Sequence, residues 1–150
     1  EQGDTMSTTQ TAQLHWDDVK VGDELPVLAA APSQTQLFFF SAATNNGHRI
    51  HYDRPFAQSE GLPDILVQGP LQAALLARML TDWIGPAGRL TRFQIQNRGN
   101  AFPNQPLVFG GVVRAKREQA GQFLVDCEIA GRSADGTVLM PGQATVGLPR

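Results

Sequence analysis

VQGPLQAALLARMLTDWIGP, residues 67–86, is the stretch that decides the fold. Pro70 stands at a first helical position, where its missing N–H is no loss. Gly85-Pro86 closes the run, since glycine suits a helix end and proline cannot continue one. Between these marks Leu71, Ala74, Leu75, Ala77, Met79, Leu80 and Trp83 cover most of the helical circumference, broken by Gln72, Arg78 and Asp82. A helix over residues 70–83 that is apolar nearly all round is expected to be wrapped by other elements.

Everything downstream of that helix reads as strand. RLTRFQIQNR (89–98) and PLVFGGVVRAKR (106–117) alternate apolar with polar positions. Residues 119–121 turn the chain into QFLVDCEIAGR (122–132), and Ala134-Asp135-Gly136 is a hairpin signal ahead of TVLMPGQATVGL (137–148). Upstream, VGDE reads as a turn and ELPVLAAA as a short strand. Ser33, with Gln36 three residues on, forms a capping-box signature. It opens a helix over residues 34–43 whose rings at Phe38, Phe39 and Phe40 are expected mostly in the core. Few helices followed by a run of antiparallel strands make an α+β domain, with one long helix lying on a curved sheet.

Periodicity vanishes over residues 44–63, which hold Asn45, Asn46, His48, Arg49, His51, Tyr52 and Asp53. A long irregular segment in a compact domain is usually functional. Tyr52 and Asp53 are expected to fix this loop, and Asp53 is placed to cap a short helix through Arg54-Pro55.

The chain has 150 residues, 41% hydrophobic and 17% charged, which fits one domain with a real core. The net charge of -2 argues against bulk nucleic-acid binding, which needs a basic face. No apolar run of about 18 residues is present to span a membrane. Residues 1–13 are polar and lack the apolar stretch of a secretion signal. They are read as a disordered N-terminus or, with Met6 as the natural start, partly as an expression remnant; residues 14–150 form the single domain. Cys127 is the lone cysteine, expected as a small buried hydrophobe with no internal disulfide. These features fit the cytoplasm. Two histidines three apart, with no cysteine pair and no H-E-x-x-H, argue against a metal site.

FSAATNNGHRIHYD (40–53) and VQGPLQAALLARML (67–80) together resemble the MaoC-like dehydratases, the R-specific enoyl-CoA hydratase group. That group is written F-A-x-x-T-G-D-x-N-P-I-H-x-D, then H-G before a central helix. The chain is most similar to a branch written T-F-N-G-H-R-I-H-Y-D and V-H-G-P-L, which includes type 2 3-hydroxyacyl-thioester dehydratases and mesaconyl-CoA hydratase-like proteins. The resemblance runs over residues 21–113, and its specific part is the block at 44–53.

The resemblance implies a hot-dog fold, an antiparallel sheet wrapped around one long central helix. It also implies a lyase of the fatty acid metabolism type, an acyl-CoA hydratase or dehydratase acting on an enoyl-CoA or 3-hydroxyacyl thioester. CoA enters as part of the substrate, with no other cofactor. His51 matches the group's catalytic histidine. Asn46 falls where its best-known members carry a catalytic aspartate. Gly69 falls where a backbone N–H polarises the thioester carbonyl. Two departures stand out: Asn45 for the branch's phenylalanine, expected to alter packing, and Gln68 for the histidine before Gly-Pro.

Those residue types suit the chemistry. A histidine titrates near neutrality and serves as a general base. A helix N-terminus presents N–H donors and positive potential to a developing oxyanion, and glycine leaves room for the ligand. Asn46 can hold a water but cannot accept a proton. His48, Arg49, Gln68 and Arg98 are the candidate substrate contacts. For His48 the alternative is a loop hydrogen bond, for Arg49 a loop anchor in place of a phosphate contact, and for Arg98 a solubilising charge.

A homodimer or higher homo-oligomer is the expected state, the alternative being a heteromer whose partner supplies the missing acid. Two other functions stay open. One is a non-catalytic hot-dog that binds an acyl thioester or small molecule. The other, ranked lowest, is a thioesterase, because the central helix carries only Asp82 as an acid, near its far end.

Overall fold

The computed structural model describes residues 12–150. A proposed disordered or remnant segment at residues 1–11 lies outside them. Gln13, assigned above to the leading segment, is already tied to the domain: its side-chain amide donates to the Ile84 carbonyl at 2.9 Å and accepts from the Ala87 N–H at 2.8 Å.

The strands are β1 (Leu28–Ala30), β2 (Arg89–Ile95), β3 (Leu107–Gln119), β4 (Gln122–Ser133) and β5 (Val138–Leu148). They form one sheet in the order β1-β3-β4-β5-β2, every pair antiparallel. Local chemistry sets the two hairpins. Ala120 and Gly121 both take positive φ (51° and 74°), the twist a two-residue turn between β3 and β4 requires. Gly136 (φ 89°) closes the β4–β5 turn by donating to the Ser133 carbonyl at 3.0 Å. Register shifts at 90/92, 113/115 and 131/132 curl the sheet. Two glycines permit the curl. A Cβ at Gly111 would meet the Glu128 carbonyl oxygen at 2.4 Å, and one at Gly142 the Gln94 carbonyl oxygen at 2.4 Å.

The helices are α1 (Gln34–Ala43), α2 (Arg54–Ser59) and α3 (Gly69–Ile84). Leu71, Leu76, Met79, Leu80 and Ile84 of α3 join Phe109, Val113, Val125, Cys127, Ile129, Met140 and Val146 of the sheet in one core. This is the α+β hot-dog arrangement: a curled antiparallel sheet around one long helix. Burial pushes the Cys127 thiol up to about 12, which leaves it an inert hydrophobe. Among the described residues no helix is long and apolar enough to cross a membrane.

Three expectations need correction. The sheet curls around α3, but the helix is not covered all round: Pro70, Ala74, Arg78, Thr81 and Asp82 form an exposed strip on its far side. Two of the three rings of α1 are not core: Phe38 is 56% and Phe39 65% exposed, while Phe40 packs against the core beside the fully buried Leu37. The helix is held by one apolar row rather than by its aromatic run. Its Ser33 cap does form, accepting from the Gln36 N–H at 3.2 Å. Third, the strand expected from ELPVLAAA shrinks to Leu28–Ala30, with Glu24 making only an isolated bridge to Val112.

Candidate active site

The loop at residues 44–53 is ordered by its own side chains. Asn45 takes φ 52°, the left-handed conformation that asparagine tolerates and a bulky residue does not. The replacement of a phenylalanine there is thus a backbone matter more than a packing one. The Asn46 N–H donates to the Ser41 carbonyl at 2.9 Å, and its Oδ1 accepts from the His48 N–H at 3.3 Å. The Tyr52 hydroxyl donates to the Gly47 carbonyl at 2.8 Å. Asp53 caps α2 by accepting from the Phe56 N–H at 3.1 Å. Arg49 binds the same carboxylate through Nη2 at 2.6 Å and Nε at 3.0 Å, and lies 4.4 Å over the Phe56 ring. The guanidinium and the Phe56 N–H hold the Asp53 carboxyl below the usual carboxylate range.

In this structure the Arg49 guanidinium is engaged within the loop by Asp53 and Phe56. The His48 ring accepts from the Ile50 N–H at 3.4 Å and caps the single 3-10 turn Arg49–His51. That turn ends on His51, whose imidazole is half-buried. Its Nδ1 lies 2.9 Å from the Leu66 carbonyl oxygen and donates to it, because a carbonyl only accepts. The proton is therefore on Nδ1, and Nε2 carries the free lone pair. Burial is the main influence on this ring and holds its pKa below 6.5, opposed by the Leu66 bond and assisted by nearby His48. That shift favours the uncharged ring.

Leu66 belongs to the segment that feeds α3. The Leu66 N–H donates to the Ile50 carbonyl at 2.9 Å, and the Val67 N–H donates to the Ala101 carbonyl at 2.8 Å. The loop carrying His51 and the first turn of α3 are thus fastened three residues before Gly69. At that turn the Gln68 carbonyl takes the Leu71 and Gln72 N–H groups. The Gly69 N–H has no acceptor among the described residues and stands as a free donor at the helix N-terminus.

Gln68 is not an open substrate contact. It is 0% exposed, and its Nε2 donates to the Leu37 carbonyl at 2.7 Å and to Ser41 Oγ at 2.9 Å. Its Oε1 is buried without a partner among the described residues, as is that of Gln72 one turn on. Each such oxygen costs about 1–3 kcal/mol.

The Arg98 guanidinium is engaged by Gln96 rather than by a residue of the loop or of the Gly69 turn. The backbone beyond β2 continues the ladder, with the Gln96 and Arg98 N–H groups donating to Pro141 and Leu139. Along it Arg98 shares the outer face with Gln96, whose Oε1 accepts both its Nε and Nη2. Its neighbour Asn97 turns the other way, onto Gly69: a Cβ built on Gly69 would lie 3.5 Å from Asn97 Nδ2. Sequence reasoning missed Asn97, since nothing local links it to a residue 28 positions earlier. Beside the loop, Phe38, Ser41, Ala42, Asn45, Asn46 and Tyr52 line an open depression of about 200 Å³.

The arrangement offers a neutral base, a free backbone donor at a helix N-terminus, and an amide where a carboxylate would stand in the pattern it resembles. The family described as hydroxyacyl-thioester dehydratase type 2 matches residues 6–102. Mesaconyl-C(4)-CoA hydratase of Chloroflexus aurantiacus is 57% identical over 49 residues, 32% of this chain but only 18% of that protein. The 3-oxo-4,17-pregnadiene-20-carboxyl-CoA hydratase beta subunit of Mycobacterium tuberculosis is 27% identical over 116 residues, 77% of this chain and 87% of that one. Among solved structures, the (R)-hydratase from A. caviae superposes with a TM-score of 0.80 at 20% identity, over 87% of this chain and 98% of its own, a likeness of fold. The chain belongs to the hydroxyacyl-thioester dehydratase type 2 family.

Proposed function

We propose that this chain adds water to an enoyl-CoA, or removes it from the 3-hydroxyacyl thioester, with His51 as the proton carrier and Gly69 as the oxyanion donor. In the forward direction the water oxygen bonds to the β-carbon while His51 Nε2 takes a water proton. The π electrons move onto the thioester, whose oxygen gains charge against the Gly69 N–H. The proton then passes from Nε2 to the α-carbon, so that H and OH are both accounted for. Asn46 orients the water and takes no proton. General acid–base help of this kind supplies about 10²–10⁴-fold, and one preorganised donor about 3–4 kcal/mol.

The observation that carries this reading is the hydrogen bond from His51 Nδ1 to Leu66. It leaves Nε2 basic and ties the ring to the segment that leads into Gly69. Loss of enoyl-thioester absorbance with crotonyl-CoA and with a branched enoyl-CoA tests it. No turnover of either, despite measurable binding, would sink it.

A second reading is favoured by Asn46: a subunit that binds an acyl thioester and receives its acid from a partner chain. The beta-subunit relative is a precedent by name. The default assembly under the first reading is a homodimer. Mass measurement in solution, alone and with a candidate partner, separates the two. A thioesterase stays lowest, because among the described residues the carboxylates of the loop and its flank are engaged elsewhere: Asp53 is held by Arg49 and Asp64 by Arg54. Free CoA in a thiol-release assay would reverse that ranking.

A further inference from the structure

Gln68 was singled out from sequence as a group beside the oxyanion site, yet it faces inward and touches no open space. Its contacts form a chain. Gln68 Nε2 donates to Ser41 Oγ at 2.9 Å and to the Leu37 carbonyl at 2.7 Å, both on α1. Ser41 in turn accepts the Asn46 N–H on its carbonyl at 2.9 Å. The next residue after Gln68 is Gly69. Two bonds and one peptide link therefore join the loop that presents Asn46 to the residue that presents the oxyanion donor.

Stability does not explain this side chain. Its Oε1 is left without a donor in the interior, so the amide gives back much of what its N–H bonds contribute. The Leu37 carbonyl also lies inside α1, where the helix offers it a partner of its own. What the amide does supply is a fixed distance.

We propose that Gln68 is a positioning residue, a buried strut between α1 and α3 that sets the Gly69 N–H against the Asn46 loop. The inference rests on the hydration reading and extends it to a residue that touches no substrate. Small displacements of a donor are expensive in rate, about 10²-fold for roughly 1 Å.

The test uses the full chain carrying Gln68→Leu, which keeps volume and removes both bonds, and Ser41→Ala, which removes one. Steady-state kinetics should show kcat for Gln68→Leu down about 10- to 100-fold, with KM changed far less and the pH profile unmoved, since His51 is untouched. The melting temperature should hold. Hydrogen exchange at the Asn46 amide should accelerate in both variants. Wild-type kcat in a folded Gln68→Leu would overturn the proposal, as would a rate loss that tracks lost stability with Asn46 exchange unchanged. If the wild type itself turns over no enoyl-CoA, the hydration reading fails. Hydrogen exchange then decides the strut alone, and unchanged protection at Asn46 in both variants refutes it.

Discussion

Replacing Gly69 with alanine separates a structural glycine from a functional one. A Cβ at this position would meet only the Asn97 side chain, at 3.5 Å to Nδ2, 3.6 Å to Cγ and 3.9 Å to Oδ1. Those are ordinary van der Waals separations, and the backbone is not in the left-handed region, so the fold accommodates the methyl. Alanine in a helix is favoured over glycine by about 0.5–1 kcal/mol, less at a first-turn position. The melting temperature should stay level or rise by about 2–4 °C at most. Catalysis should respond in the opposite sense. Alanine keeps the N–H, but under the proposed role its methyl crowds the approach of a thioester oxygen to that donor, and full loss of one such contact costs about 10²–10³-fold in kcat, or 2.7–4 kcal/mol. The assay is initial-rate loss of enoyl-CoA absorbance, with kcat and KM resolved, beside a thermal melt on the same preparation. A folded Gly69→Ala with undiminished kcat would remove the oxyanion role. A variant that fails to fold would show the glycine to be structural.

Further outcomes follow from the same geometry. Because burial holds His51 below 6.5, kcat/KM should rise with pH through an inflection under that value; an inflection above it would mean that another group carries the proton. His51→Ala should lose about 10²–10⁴-fold in rate, while calorimetry with a non-hydrolysable acyl-CoA finds binding retained. Asn46→Asp, which restores an acceptor for the water's proton, should raise the rate at pH 7; a fall would show that the amide is the better ligand for the water here. Gln72→Leu removes a buried oxygen that has no donor, so urea denaturation should find the domain equally stable or up to about 1–3 kcal/mol more so. A clear destabilisation would reveal a partner for that amide.

Features encoded locally were legible before any coordinates. Gly-Pro brackets mark α3, Ala-Asp-Gly marks the last hairpin, and Asp53 ahead of Arg54-Pro55 marks the cap of α2, because each depends on the conformational limits of a few adjacent residues. The loop motif at residues 44–53 pointed to the family and to His51 for a similar reason: its chemistry lies in consecutive positions. What folding alone decided depends on residues far apart in the chain. The tautomer of His51 is set by a carbonyl fifteen residues away. Gln68 proved to be interior because α1, 27–31 positions earlier, lies across it, and Asn97 reaches Gly69 only because the sheet curls around α3. That Asp53 and Phe56 both hold the Arg49 guanidinium is likewise a product of the folded loop. Phe38 and Phe39 misled because hydrophobicity says that a ring favours burial, not whether a neighbour arrives to cover it.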